Sequence, residues 1–298
     1  MPSCRPTEQA GVALVGVLWL LALLTLIGLN LSTSSRIELQ LTANLKAAAA
    51  AAHAADAGVN WAQWSLMQAN TAGWLADGST RSLELDGLQI TVALFDEQGK
   101  IDLNEAGGEL LRGLFLAVEL SDEEALALSE AILDWRDEDD ERRPQGAEVD
   151  EYLAAGLKPP ANRPFERLGD LRRVLGMSPA LYARVAPALT LLSNKAEVNP
   201  LMAPPLVLQA LPGLGLGVES IEQYIEVRRR NYADGISPPM LVGVDPNLLT
   251  LTSAGFNYAV DIEVMAGARL LSRQRIWLVR QGQGVTAGFR VLDSIPPQ

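Results

Sequence analysis

The chain has 298 residues, of which 48% are apolar and 20% are charged, and its formal net charge is −12. At roughly 150 residues per domain this length suggests about two folded units, and the composition excludes a wholly disordered chain. The single cysteine, Cys4, excludes a disulfide framework, and the single histidine, His53, removes the main residue of most hydrolytic sites. The acidic balance also opposes nucleic-acid binding, which depends on clustered lysine and arginine.

An apolar segment lies near the N-terminus. No charged residue occurs from residue 9 to residue 35, and the stretch 11–31 is almost entirely apolar. As a helix this stretch is about 31 Å long, enough to cross a hydrocarbon core of about 30 Å. A secretory signal peptide would have a shorter apolar region and an A-x-A-like cleavage site. A core helix is the remaining alternative, and the sequence favours a transmembrane helix over residues 12–31.

The helix is expected to continue beyond this segment. Residues 32–65 contain no proline and are rich in alanine, leucine and glutamine, which favour helix. Small turn-forming residues at 70–82 then predict a loop. We therefore expect one long helix over residues 12–68.

Strand patterns flank a helical block in the rest of the chain. Apolar residues alternate from Leu83 to Leu94, around a predicted turn at Asp86-Gly87, and alternation returns over 257–264, 270–279 and 285–292. Between them the apolar residues recur at spacings of three and four, and Asn104 is a good N-cap for the first of these helices. The pattern predicts an α+β fold, in which a small antiparallel sheet packs on the N-terminal helix and carries a large inserted all-helical domain.

Nearly all the net charge lies in one stretch. Residues 119–151 hold fourteen acids and three arginines, a net charge of −11. Asp137 and Asp139 are two residues apart, as are Glu148 and Asp150, and carboxylate oxygens on a loop are the ligands that calcium prefers. On the residues alone, a solvated acidic loop is the favoured interpretation and calcium binding the alternative. A paired-carboxylate hydrolase is disfavoured, because no substrate cleft can be inferred, and we expect no enzymatic activity.

A second motif suggests a different function. Residues 211–215, LPGLG, followed by Arg228–Arg230, are similar to a helix-hairpin-helix, whose backbone N–H groups bind phosphate in DNA-binding proteins. The alternative function is therefore a membrane-anchored DNA-binding protein of the competence type. Three arginines are few beside the acidic stretch, so we expect no nucleic-acid partner.

The N-terminal features together resemble the type IV pilins and pseudopilins. In that class a prepilin peptidase cuts after a glycine that immediately precedes the apolar helix, here Gly11, and Val12 would begin the mature, methylated chain. Most members carry glutamate at the fifth mature position, which here is Gly16. Within type II secretion pseudopilins, this missing carboxylate characterises the K subunit (general secretion pathway protein K).

The resemblance to the K family extends over most of the chain. Similar segments are the strand-to-helix junction FDEQGKIDLNEA at 95–106 and, in the acidic stretch, Trp135, Asp137, Asp139, Gly146, Ala147, Glu148, Asp150 and Tyr152. The chain departs from the family pattern at Val149, where a second acid is usual. Calcium is associated with this region in the family, so the resemblance shifts the balance toward a calcium site with the ligands Asp137, Asp139, Glu148 and Asp150.

The resemblance also implies organisation, location and partners. The implied segments are a leader at 1–11, an N-terminal helix at 12–68, the first part of the sheet at 69–103, an inserted helical domain at 104–245 with an acidic loop at 134–152 and the helix-hairpin-helix-like part at 199–230, and closing strands at 246–298. The protein would be a single-pass inner-membrane protein with its C-terminal domain in the periplasm. Its partners would be the minor pseudopilins I and J, the major pseudopilin and the prepilin peptidase.

The missing carboxylate at Gly16 suggests a position at the tip of the fibre. The glutamate of related subunits is thought to pair with the N-terminal amine of the preceding subunit, because a charge inside an apolar bundle must be paired. A subunit without this carboxylate does not neutralise the N-terminal amine of a subunit above it, which fits the first position in the fibre. The expected function is therefore that of a tip pseudopilin in protein export.

Overall fold

The computed structural model describes residues 10–68, 74–215, 217–251, 255–282 and 288–295, with the backbone alone at 10–12, 30–36, 218 and 293–295. The chain divides into two compact units, residues 1–53 and residues 54–298. The long helix α1 (Ala10–Met67) supplies the described part of the first unit. Its apolar side chains there, such as Leu14, Leu18 and Leu24, are more than half exposed.

In the part of the chain that the structure describes, no helix is both long enough and apolar enough to span a membrane. The predicted span over 12–31 includes Val12, Asn30 and Leu31, whose side chains lie outside the described residues. The transmembrane helix therefore stays a prediction.

The second unit is built on a five-stranded antiparallel sheet. Its strands are β1 (Asp77–Leu85), β2 (Leu88–Asp96), β5 (Asn257–Ala266), β6 (Arg269–Gln281) and β7 (Gly288–Ile295). They are ordered β1-β2-β5-β6-β7, so strands from both ends of the sequence meet in one sheet. The coarse prediction, helices with an antiparallel sheet, is confirmed.

The sequence pattern explains the first hairpin in part. Asp86 and Gly87 both have positive φ, as the predicted two-residue turn requires. Residues 77–82, predicted as a loop, instead form most of β1. This strand lies at the edge of the sheet and its outer side chains are half exposed, so its polar residues are tolerated there.

Close packing holds the last turns of α1 against the sheet. Ala54, Ala55 and Ala62 are buried, and a Cβ atom at Gly58 would lie 3.2 Å from side-chain atoms of both Ile90 and Ile262. Small residues on this helix face therefore bring its backbone close to the apolar face of the sheet.

The block between β2 and β5 forms its own apolar core. Besides short 3-10 helices, its described elements are β3 (Ile101–Asp102), α2 (Gly108–Ala117), α3 (Asp122–Arg136), α4 (Val149–Ala154), α5 (Pro179–Val185), β4 (Leu189–Thr190), α6 (Pro205–Ala210) and α7 (Val218–Ala233). Because β3 and β4 pair in parallel, the expected all-helical domain is wrong in this detail. We call this block the helical insertion. Its core centres on α2, where Leu110, Leu111, Leu114 and Phe115 are fully buried.

Polar contacts close the two ends of the helical insertion. The Asp96 carboxylate at the end of β2 accepts hydrogen bonds from the Gln98 backbone N–H (3.0 Å) and the Gly255 backbone N–H (2.7 Å). Asp96 is also the register partner of Tyr258, at the start of β5. The insertion therefore leaves and re-enters the sheet at one point, between two neighbouring central strands.

Candidate functional site

Of the acidic loop predicted at 134–152, residues 134–136 end α3 and residues 149–152 begin α4, so the acidic loop itself is the connection 137–148. Aromatic packing fixes its ends. Trp135, in the last turn of α3, is buried and stacks on Phe165 with ring centroids 5.9 Å apart. Tyr152 in α4 is fully buried, its ring lies 6.0 Å from that of Trp135, and its hydroxyl accepts a hydrogen bond from the Leu175 backbone N–H. The loop is thus held between two rigid elements.

Arg143 neutralises part of the loop from within. Its Nη1 atom lies 2.5 Å from Oδ1 of the fully buried Asp134 and also contacts Oδ2 of Asp137. Gly146 packs so closely on Asp134 that a Cβ atom there would collide with the carboxylate. Asp134 was not among the predicted site residues, although an acid next to Trp135 in an apolar helix pattern indicates a buried charge that needs a partner.

Glu148 lacks such neutralisation. Its side chain is only 5% exposed, and neither of its carboxylate oxygens has a hydrogen-bond partner within the described chain. Burial, together with the negative charges of Asp134, Asp137 and more distantly Asp140 and Asp139, raises the pKa of Glu148 to about 7. The carboxyl group therefore lies in a field that opposes its ionisation.

The four predicted calcium ligands have different surroundings. Asp137 is half-buried and one of its oxygens, Oδ1, has no partner in the described structure. Asp139 is exposed and its Oδ1 atom accepts a hydrogen bond from the Glu141 backbone N–H. Asp150 is exposed in the first turn of α4. Across the described residues, no three or more Asp, Glu, His or Cys side chains are grouped closely enough to hold a metal ion.

The donor chemistry nevertheless fits calcium. Four side-chain oxygens in this region are shielded from solvent without a described hydrogen-bond partner: both carboxylate oxygens of Glu148, Oδ1 of Asp137 and the amide oxygen of Asn162. Asn162 also donates to the Asp139 backbone carbonyl and to Oδ1 of Asp140, so it ties a second loop to the acidic one. Buried oxygens of this kind need a donor or a cation, and calcium takes six to eight oxygen ligands at about 2.3–2.6 Å.

The three arginines of the helix-hairpin-helix-like part form ion pairs within the chain. Arg228 is fully buried, donates to the Pro200 carbonyl and pairs with Asp77. Arg229 also pairs with Asp77, and Arg230 pairs with Glu226. Each arginine that motivated the DNA-binding alternative therefore has an acidic partner, and Arg228 is the buried one of the three.

The predicted processing and assembly residues lie on α1. Gly11 and Val12 fall where only the backbone is described, so cleavage between them stays a prediction. A Cβ atom at Gly16 would meet no other atom within 4 Å. The described chain therefore leaves space for a larger side chain at the fifth mature position.

Comparison with known proteins identifies the family. A family model described as type II secretion system (T2SS), protein K, matches residues 84–194. The type II secretion system protein K of Aeromonas hydrophila is 33% identical over 229 residues, which cover 67% of this chain and 68% of the relative. The chain belongs to the type II secretion system protein K family. The Pseudomonas aeruginosa member is 27% identical over 247 residues, covering 74% of this chain and 73% of its own length.

A solved structure shares the fold of this family member. The crystal structure of the GspK–GspI–GspJ complex from enterotoxigenic Escherichia coli matches with a TM-score of 0.58 at 21% identity. The match covers 89% of this chain and 99% of the solved one. The predicted K-family resemblance is confirmed.

The raised pKa of Glu148 predicts a pH-dependent stability in the absence of metal. In EDTA the folded chain keeps a proton on Glu148 up to about pH 7, whereas the unfolded chain loses it above about 4.5. The folded state binds more protons in this window, so the free energy of unfolding falls as pH rises through it. Glu148→Gln removes this loss, and we expect the variant to gain roughly 1–3 kcal/mol relative to wild type between pH 5 and pH 8. Urea denaturation at both pH values measures the difference, and a pH-independent difference contradicts the prediction.

Proposed function

We propose that this chain is a minor pseudopilin at the tip of the type II secretion pseudopilus, where it initiates or caps assembly during protein export across the outer membrane. The observation that carries the proposal is the helical insertion between the central strands β2 and β5, since the insertion contains most of the family-model match. A bulky block at this place is compatible with a cap, because it would obstruct a further subunit stacked above it. The role is structural rather than enzymatic.

The surface of α1 supports membrane anchorage and helix packing. Large apolar side chains from Leu14 to Leu29 are more than half exposed, as are Ile37, Leu39, Leu41 and Leu45. Exposed apolar surface of this extent needs a lipid or protein environment. We propose a single-pass inner-membrane helix over 12–31, with the following domain in the periplasm, released from its leader by prepilin peptidase after Gly11.

Two of the proposed partners come from the structural comparison. The matched chain was solved together with GspI and GspJ, so we propose the corresponding minor pseudopilins as partners of this chain in a tip complex. The major pseudopilin would follow below them in the fibre. Gly16 supports the tip position, because a subunit without the pairing carboxylate needs no N-terminal amine above it.

The proposed function includes calcium in the acidic loop. Glu148 and Asp137 would supply the shielded oxygens that lack partners, and Asp139 and Asp150 would join them from the exposed side. Arg143 pairs with Asp134 and Asp137 but not with Glu148. The ion would supply the positive charge that Glu148 lacks. The charge of a bound calcium ion would therefore offset the burial and the carboxylate repulsion that together raise the pKa of Glu148.

The calcium proposal predicts a ligand-specific change in thermal stability. Asp139→Ala should lower the melting temperature in millimolar calcium but not in EDTA, because an ion at hundredfold excess over its dissociation constant adds about 2.7 kcal/mol to the stability of a folded state. Glu138→Ala is the matched control, since Glu138 is the exposed neighbouring acid and not a proposed ligand. Equal melting temperatures of wild type in calcium and in EDTA would refute the site.

The tip position predicts the effect of restoring the carboxylate. Gly16→Glu should reduce co-purification with the I and J pseudopilins and increase crosslinking to the major pseudopilin, because the new charge can pair with the amine of a subunit above it. Gly16→Gln is the uncharged control of nearly equal size and should behave as wild type. Unchanged tip-complex recovery, crosslinking and secretion in Gly16→Glu would overturn the argument from the missing carboxylate.

A further inference from the structure

A positively charged cavity lies in the helical insertion, and none of the residues that line it belongs to the acidic loop. It has a volume of about 500 Å³, within the usual range of ligand pockets. It is lined mainly by Leu157, Lys158, Arg172, Arg173, Val174 and Met177. Among the described residues that line it there is no acid, although the chain has 36 acidic and 24 basic residues. The cavity thus concentrates positive charge on a protein of negative net charge.

The two arginines of this basic cavity are held by aromatic rings. The Arg172 guanidinium lies 4.3 Å from the ring centroid of Tyr182, and that of Arg173 lies 5.3 Å from the ring centroid of Trp135. A guanidinium stacked on a ring keeps its in-plane N–H donors for other acceptors. The carboxylate paired with Arg173, that of Asp170, is 3.8 Å away. The two guanidinium groups therefore keep N–H donors for an anion in the cavity.

An apolar groove continues from the basic cavity. Gly176 and Ser178 line both, and the groove has a volume of about 540 Å³. Its walls are mostly leucine and alanine, and residues 145–147 of the acidic loop form part of them. Among the apolar lining residues are Leu120, Leu128, Ala131, Leu175, Ala180 and Leu181. The basic cavity and the apolar groove are therefore neighbours that share two lining residues.

The polar groups that line the apolar groove are largely engaged already. Glu124 accepts hydrogen bonds from the backbone N–H and hydroxyl of Ser121, and Arg184 donates to the Val118 carbonyl. An extended peptide in the groove would leave its own backbone amides poorly satisfied, which costs binding energy. An acyl chain has no such groups, so the lining favours lipid over peptide.

We propose that the basic cavity and the apolar groove together bind one anionic phospholipid. The phosphate lies at Lys158 and Arg172, and one acyl chain follows the groove past Leu128 and Leu181. Leu153 and Leu157, which are 58% and 44% exposed, add apolar surface near Lys158 for the second chain. This site does not depend on the assembly role proposed above, because it requires only the helical insertion.

Native mass spectrometry of the full chain from neutral detergent tests the site. The chain is mixed with phosphatidylglycerol or with phosphatidylcholine of the same acyl chains. We expect wild type to retain one more phosphatidylglycerol than Lys158→Gln/Arg172→Gln, with affinity reduced roughly tenfold or more in the variant, since each basic residue contributes a factor of about five toward an anionic lipid. Retention of phosphatidylcholine should be equal in both proteins, including any lipid bound along α1.

Two further variants test the contribution of the local positive charge and that of the apolar groove separately. Arg269→Gln/Arg290→Gln removes the same charge from exposed positions on the sheet and should retain phosphatidylglycerol as wild type does. Ala180→Trp places a large ring in the groove from an exposed helix position and should reduce retention with the cations intact. Equal loss in the sheet variant, or retention unchanged by Lys158→Gln/Arg172→Gln, overturns the proposal. Complete displacement of the lipid by millimolar inorganic phosphate with no effect of Ala180→Trp also overturns it, because the site would then bind only a free anion.

Discussion

A buried ion pair between Asp77 and Arg228 joins the helical insertion to the sheet. Both side chains are fully buried, their charged atoms are 3.0 Å apart, and Arg229 approaches the same Asp77 oxygen at 2.6 Å. Burial alone would raise the pKa of Asp77, but hydrogen bonds and charge from the two arginines outweigh it and lower that pKa. Asp77 begins β1 and Arg228 lies in α7, so the pair connects an edge strand with the far end of the insertion.

The same rule, that a buried charge needs a partner, governs the acidic loop. Asp134 satisfies it through Arg143, whereas Glu148 has no described partner and a raised pKa. A bound cation would stabilise the fold at Glu148, where positive charge is missing. At Asp77 the two arginines already supply that charge, so we propose calcium only for the acidic loop.

Local sequence signals predicted the elements whose geometry depends on local chemistry. Asp86-Gly87 forms its turn, and the C-terminal alternation corresponds to β5, β6 and β7. The sequence did not predict features that depend on contacts between residues far apart in the chain. Asn104, expected as a helix N-cap, instead exchanges hydrogen bonds with the backbone of Phe165, and α2 begins after Gly107. Gly113 faces the backbone of Ala210 so closely that a Cβ atom would collide, a contact that spacing cannot reveal.

The candidate site was predictable to a similar degree. Acid spacing placed Glu148 and Asp137 in a possible metal site, but which oxygens are shielded depends on the tertiary fold. Asn162 enters the region from a separate loop, and nothing in its local sequence marks it. Likewise Arg228 is part of a run of three arginines in the sequence, and only the fold shows that it forms a buried ion pair with Asp77.

The most direct test of the account is the unfolding free energy of Asp77→Ala, measured in calcium with Glu226→Ala as the control. Removing Asp77 leaves Arg228 buried without its carboxylate, so the account predicts a loss of about 3–5 kcal/mol. Glu226 forms an exposed pair with Arg230, and its removal should cost less than about 1 kcal/mol. If the unfolding free energy of Asp77→Ala lies within about 1 kcal/mol of that of wild type, the helical insertion is not fixed to the sheet through this ion pair.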